Sequence, residues 1–129
     1  MPDTVGPAIQ REKSNKIVTI LSGQSVSDSV FVGKRSDFGI ILNGSAWTAA
    51  DLGIQVSHDG TTFVTLTDVD GNAIRNKALP TGAAWARPNP CLYGESFPFS
   101  YVRFISLNTG TGAAENQGAN RSLIICVGS

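Results

Sequence analysis

At 129 residues the chain has the length of one domain, and with 41% hydrophobic residues it can fill a single two-layer core. Ten basic and ten acidic side chains cancel to a formal net charge of zero, and only 16% of residues are charged. Such a surface has no broad field to hold nucleic acid or an anionic membrane, and it suits a protein partly covered by partners.

Residues 1–15 hold Pro2, Gly6 and Pro7 and then Arg11, Glu12, Lys13, Ser14 and Asn15 without sustained periodicity, which predicts an extended N-terminal arm before one domain over residues 16–129. Arg11 and Lys13, with Lys16 beyond them, form a small basic cluster. A solvated face accounts for it, and an arm docking on a neighbouring subunit is the functional alternative. On that alternative, removing residues 1–15 weakens assembly and leaves the fold intact. No basic stretch followed by an apolar core opens the chain, and no apolar run approaches a membrane span, so a product made in the cytoplasm is expected.

From Lys16 onward the pattern is β. Ile17, Val18, Ile20 and Leu21 form a first apolar run, Gly23-Gln24-Ser25 interrupts it, and Val26, Val30, Phe31 and Val32 carry a second. Phe38, Ile40, Ile41 and Leu42 give a third, ending at Asn43-Gly44. Residues 45–51 fit either one turn of helix or an Asx-capped loop, with Trp47 as a lid on the core or, alternatively, a stacking ring for a ligand. Leu52, Ile54, Val56 and His58 then alternate with small or polar residues as far as Asp59-Gly60, and a run through Phe63, Val64 and Leu66 leads to Asp70-Gly71. Period-two alternation places one apolar face on a strand, and Asp-Gly supplies the positive φ of a tight turn, so a β-hairpin with a second turn behind it is predicted.

Ala73, Ile74 and Leu79 suggest another short strand ended by Pro80. Residues 80–99 contain five prolines or glycines besides Pro80, together with Trp85, Tyr93, Phe97 and Phe99, and read as a long irregular loop suited to protein contact. Tyr101 to Leu107 form a strand, residues 108–118 a loop, and Leu123 to Val127 a closing strand apolar enough to require a place inside a sheet. No stretch has a 3.6-residue apolar period. Short strands separated by turn signals roughly every 8 to 12 residues make this an all-β chain, an antiparallel β-sandwich or barrel.

Residues able to carry chemistry are few. His58 is the one histidine, and beside Asp59 at a turn it has neither a nucleophile nor oxyanion donors in its neighbourhood. Cys91 and Cys126 are far apart, form no CxxC pair, and read as buried free thiols in preference to a disulfide; with one histidine they make no zinc site. Asp68, Asp70 and Asn72 around Gly71 superficially resemble a calcium loop. The glycine, however, stands fourth where an EF-hand needs it sixth, and Leu79 occupies the place of the closing glutamate. Gly110-Thr111-Gly112 opens no helix, and no phosphate-binding loop occurs. No catalytic residue, metal site or cofactor is therefore expected.

Two stretches, residues 46–75 and 101–127, resemble small virion proteins of tailed bacteriophages and prophages. The likeness lies in Trp47, the IQVSHDG run from Ile54 to Gly60, the DVDGN turn from Asp68 to Asn72, YVRFIS from Tyr101 to Ser106, and NQGANR from Asn116 to Arg121, and the stretches cover roughly half of the chain. The resemblance implies a β-sandwich, with a jelly roll as one form of it, that decorates or cements a capsid or belongs to a tail or fibre. It implies a virion location, the major capsid protein as partner, and a homo-oligomer, trimeric by analogy. The arm, with Arg11 and Lys13, and the 80–99 loop, with Trp85, Tyr93 and Phe97 as aromatic anchors and Arg87 as a polar one, are then the expected contacts. The competing explanation of those aromatics is that they close the ends of the sandwich. The competing function is a carbohydrate- or receptor-binding module of a tail or fibre, using Trp47, Trp85 and Tyr93 as stacking platforms.

Overall fold

A computed structural model describes residues 14–32, 38–44, 46–88 and 99–127. Among them are nine strands and no helix: β1 (Ser14–Ile20), β2 (Val30–Phe31), β3 (Phe38–Leu42), β4 (Asp51–Ser57), β5 (Val64–Thr65), β6 (Arg75–Asn76), β7 (Trp85–Pro88), β8 (Tyr101–Leu107) and β9 (Arg121–Val127). They form two antiparallel sheets packed as a β-sandwich. One has four strands in the order β1-β9-β3-β7; the other runs β2-β8-β4-β5, with β6 also pairing to β4. Apart from β4, β5 and β6, which stay together, each strand lies in the opposite sheet from the one before it.

The apolar alternation read from the sequence is what joins the sheets. Phe38, Ile40 and Leu42 of β3 are buried while Gly39 and Ile41 are half-exposed. Leu52, Ile54 and Val56 of β4 meet Val102 and Phe104 of β8 in the same core, together with Val18, Ile20, Leu123 and Ile125 of the facing sheet. The Phe38 and Phe104 rings bridge the sheets edge to face at 6.4 Å. The closing strand β9 lies inside its sheet, paired with β1 on one side and β3 on the other, as its apolarity required. β1 begins at Ser14, with Ser14 and Asn15 opposite Val127 and Cys126, so the strand takes in the last two residues of the segment read as an arm.

Several expectations need correction. Residues 80–88 are not all loop, because Trp85–Pro88 pairs with β3 along the sheet edge, where Pro88 can sit without a missing donor breaking a ladder. The strand expected around Ala73, Ile74 and Leu79 is confined to Arg75–Asn76. The run from Val26 to Val32 holds only the two-residue β2, while Val26 and Ser27 bridge separately to Ile105 and Ile20. Residues 46–50 contain no helical turn.

The β4–β5 connection is wider than a two-residue turn and is built on side chains. Asp59 Oδ1 accepts hydrogen bonds from the amides of Thr61 (2.9 Å) and Thr62 (3.0 Å) and from the Ser57 hydroxyl (2.9 Å). Gly60 takes φ +80°, and the Tyr101 ring lies so close that a Cβ at Gly60 would be 3.2 Å from it. The donors of Thr62, Thr61 and Ser57 favour the ionised carboxylate and lower the Asp59 pKa to about 2. Because the folded value is depressed, this anchoring is complete above the unfolded carboxylate value of about 3.9 and is lost as pH falls through about 2. An NMR titration is expected to show the Thr61 and Thr62 amide shifts moving with a midpoint near 2; a midpoint near 4 would refute the anchoring.

Candidate functional site: two sheet faces

The expected contact residues do not come together in the described structure. Arg11, Lys13, Tyr93 and Phe97 lie outside the described residues. Trp85 is only 5% exposed and packs edge to face on Trp47 with ring centroids 5.4 Å apart. Trp47 is also buried, and its Nε1 donates to the Ala50 carbonyl. The two indoles plug one end of the core, so Trp85 is corrected from partner anchor to core residue, and neither ring offers a face to a sugar. Trp85 Nε1 is buried without an acceptor among the described residues. Arg87 is half-buried, its guanidinium donating to the carbonyls of Ala86 (3.1 Å) and Ala78 (3.2 Å), which braces the edge strand.

The motifs that carry the resemblance also serve the fold. Gln117, 1% exposed, donates through its side-chain amide to the Thr48 carbonyl (3.2 Å) and Ser106 Oγ (3.1 Å), and accepts from the Thr48 amide (2.9 Å) and Arg121 Nε (3.1 Å). Its backbone joins the loop at Gly23 and Gln24. One residue, through its side chain and its backbone, therefore ties the Trp47 segment, β8, β9 and the first loop together. Asp68 Oδ1 accepts from the amides of Asp70 and Asn72, so that carboxylate closes its own turn. Among the described residues no three His, Cys, Asp or Glu side chains converge as metal ligands. The exposed His58 has the Asp59 carboxylate 3.9 Å away, while Ser57 Oγ bonds to Asp59 and not to it. Cys126 is a free, half-buried thiol, and Cys91 lies outside the described residues.

What remains exposed and organised is the outer face of each sheet. On the five-stranded sheet, Phe31 and Tyr101, opposite one another on β2 and β8, meet edge to face at 5.2 Å, with Phe31 56% exposed. Next to them the Arg103 guanidinium lies 4.5 Å over the Phe63 ring and its Nε donates to Gln55 Oε1 at 2.7 Å. Gln55 in turn donates to Thr65 Oγ1. The result is a patch of three aromatic rings around an arginine held in place by the chain's own side chains. Farther along, Gly53 lets Leu107 and Ile105 close over it, since a Cβ there would lie 2.7 Å from Leu107 Cδ1.

On the four-stranded sheet the pairings place Ile17, Ile124, Ile41 and Ala86 in one row across all four strands, and Asn15, Cys126, Gly39 and Pro88 in the next. Thr19 and Ser122 complete a third, with their hydroxyls 3.1 Å apart. No charged side chain occupies these outward positions. Lys16, Arg87 and Arg121 all fall on the core-side register, opposite Ile125, Ile40 and Ile20. Sequence reasoning missed both faces, although outward-facing Tyr101 and Arg103 beside inward Val102 and Phe104 were a readable signal.

No protein-family model matches the chain, and no curated protein matches it. Among solved structures the chain is similar to the SPBc2 prophage-derived protein YomS, at 11% sequence identity with a TM-score of 0.48, covering 98% of this chain and 100% of that one. A likeness at that level carries no argument about activity.

Proposed function

We propose that the protein is a non-enzymatic structural component of a bacteriophage virion, a decoration protein that binds the major capsid protein and stabilises the head. The observation that carries the reading is the preassembled patch of Phe31, Tyr101, Phe63 and Arg103. An exposed phenylalanine and two half-buried aromatic rings around an immobilised arginine have the composition of a protein-binding hot spot. Strand order supports it as an analogy. With β5 and β6 taken as one interrupted strand, the two sheets carry the order of an eight-stranded jelly roll, an architecture found in viral capsid and lectin domains.

The test is co-sedimentation with empty heads of the phage that encodes the chain. The protein is expected to pellet with heads and saturate at a fixed ratio. Phe31→Ala and Arg103→Ala are each expected to weaken binding by about tenfold or more while leaving the circular dichroism spectrum unchanged. A protein that stays in the supernatant, or folded variants that bind as well as the parent, would overturn the proposal.

A further inference from the structure

We infer that Arg103 seats an acidic side chain of the partner protein, an aspartate or glutamate received in the plane of its guanidinium; resting on the capsid reading, this names the chemistry that the major capsid protein presents to the aromatic patch. The arginine is oriented but not neutralised. Its Nε donates to Gln55 Oε1 at 2.7 Å, and the Phe63 ring covers one side of the guanidinium at 4.5 Å, so both of its holders are uncharged. Among the described residues Nη1 and Nη2 donate to nothing, and no carboxylate lies within ion-pair distance of them. Asp51, Asp59 and Asp68, on β4 and the loops of the same sheet, are committed elsewhere: Asp51 to Arg75 at 3.4 Å, Asp59 to the amides of Thr61 and Thr62, and Asp68 to those of Asp70 and Asn72.

The occupant follows from that unmatched charge. With Nε taken, the two terminal nitrogens are left side by side as a fork, which a carboxylate can accept end on. Phe63 blocks one face of the guanidinium and favours in-plane approach, and half-burial against aromatic rings strengthens the pairing over that of an open surface. Phe31, 56% exposed, and Tyr101 stand beside the fork, so the neighbours of the incoming acid should be apolar. A phosphodiester backbone would need several cations, and Arg103 is the one basic side chain of the patch. A neutral sugar would need none, and it would meet Phe31 and Tyr101 rings set at 61° to each other instead of a flat platform. Gln55 is the decisive neighbour: the isosteric glutamate would neutralise Arg103 from within, and the chain carries the amide.

Gln55→Glu tests this without truncating anything, by supplying the carboxylate internally. In co-sedimentation with empty heads it is expected to weaken binding about tenfold at low salt, as Arg103→Met should, while its melting temperature stays at or above that of the parent. Raising NaCl from about 50 to about 500 mM should weaken the parent about threefold and leave Gln55→Glu nearly unchanged. A parent that binds heads with no sensitivity to salt, or a folded Gln55→Glu that binds as the parent does, would mean a neutral occupant and overturn the inference with the capsid reading intact. A parent that does not sediment with heads overturns that reading, and NMR with two peptides, acetyl-Leu-Asp-Leu-amide and its Leu-Asn-Leu twin, then decides whether Arg103 is an acid seat. The acidic peptide should shift the Arg103 Nε resonance and the twin should not; equal shifts from both, or none from either, would overturn it.

Discussion

Arg75→Met is expected to destabilise the fold by about 3 kcal/mol, lowering the melting temperature by about 10 °C. The Asp51 side chain is 3% exposed and that of Arg75 18%, with Arg75 Nε 3.4 Å from Asp51 Oδ2. Arg75 Nη1 also reaches the Asn108 carbonyl at 3.4 Å. This pair clips the short β6 onto the start of β4, beside the Leu52–Asn76 and Gly53–Arg75 pairings. Removing the arginine strands a carboxylate where water barely reaches, and an uncompensated buried charge is the expensive outcome. Asp51→Asn should cost less, about 1 kcal/mol, since it leaves a neutral amide beside a cation able to turn toward solvent. Urea denaturation followed by circular dichroism measures both. Equal midpoints for the parent and Arg75→Met would show that the pair contributes nothing, and recovery of most of the loss in the Asp51→Leu, Arg75→Met double variant would confirm the stranded charge as the cause.

The second large effect is expected at Gln117. Leucine fills the same space but removes every hydrogen bond the side chain makes to Thr48, Ser106 and Arg121. Each partner left unsatisfied in a buried setting costs about 1–3 kcal/mol, and some of these sit where water can replace the loss, so a total near 3 kcal/mol is expected. Gln117→Glu, which keeps the acceptor for the Thr48 amide and Arg121 but loses both donors, should fall between leucine and the parent. Thermal unfolding gives the magnitude and hydrogen exchange the location. The Thr48 amide should exchange markedly faster in Gln117→Leu while the amides of β4 change only with global stability. Unchanged protection at Thr48 would refute the keystone role.

The sequence made the central strands legible because their chemistry is local. Alternation in Leu52, Ile54 and Val56 and in Val102 and Phe104 defines a buried side whichever strands lie next to them, and the apolar run of β9 marks a strand with a neighbour on either edge. β7 was hidden because Trp85-Ala86-Arg87-Pro88, set among prolines, has a poor strand composition and needs only one neighbour, at an edge that tolerates proline. Trp85 was misjudged for a related reason: an indole in an apparent loop looks available, and only the pairing of Trp85 with Leu42 turns it toward the core. The face of the four-stranded sheet was illegible because it is assembled across strands. Ile17, Ile41, Ala86 and Ile124 become a row only once the order β1-β9-β3-β7 is known, and that order is a property of the closed fold. The phage-like motifs were legible and were read for function, yet Gln117, Arg121 and Asp68 spend their polar atoms on internal bracing.

The pairing of Ser14 with Val127 has a consequence for synthesis. The inner strand of one sheet is the last of the described strands to leave the ribosome, so β1 and β3 wait without the neighbour that joins them. At ordinary elongation rates that delay lasts on the order of 5–20 s. During it, isoleucine-rich edges lie open to any other nascent chain. High expression should therefore strain solubility before it strains stability, and slower translation or holdase chaperones should improve the yield of a protein that, once closed, no longer needs them.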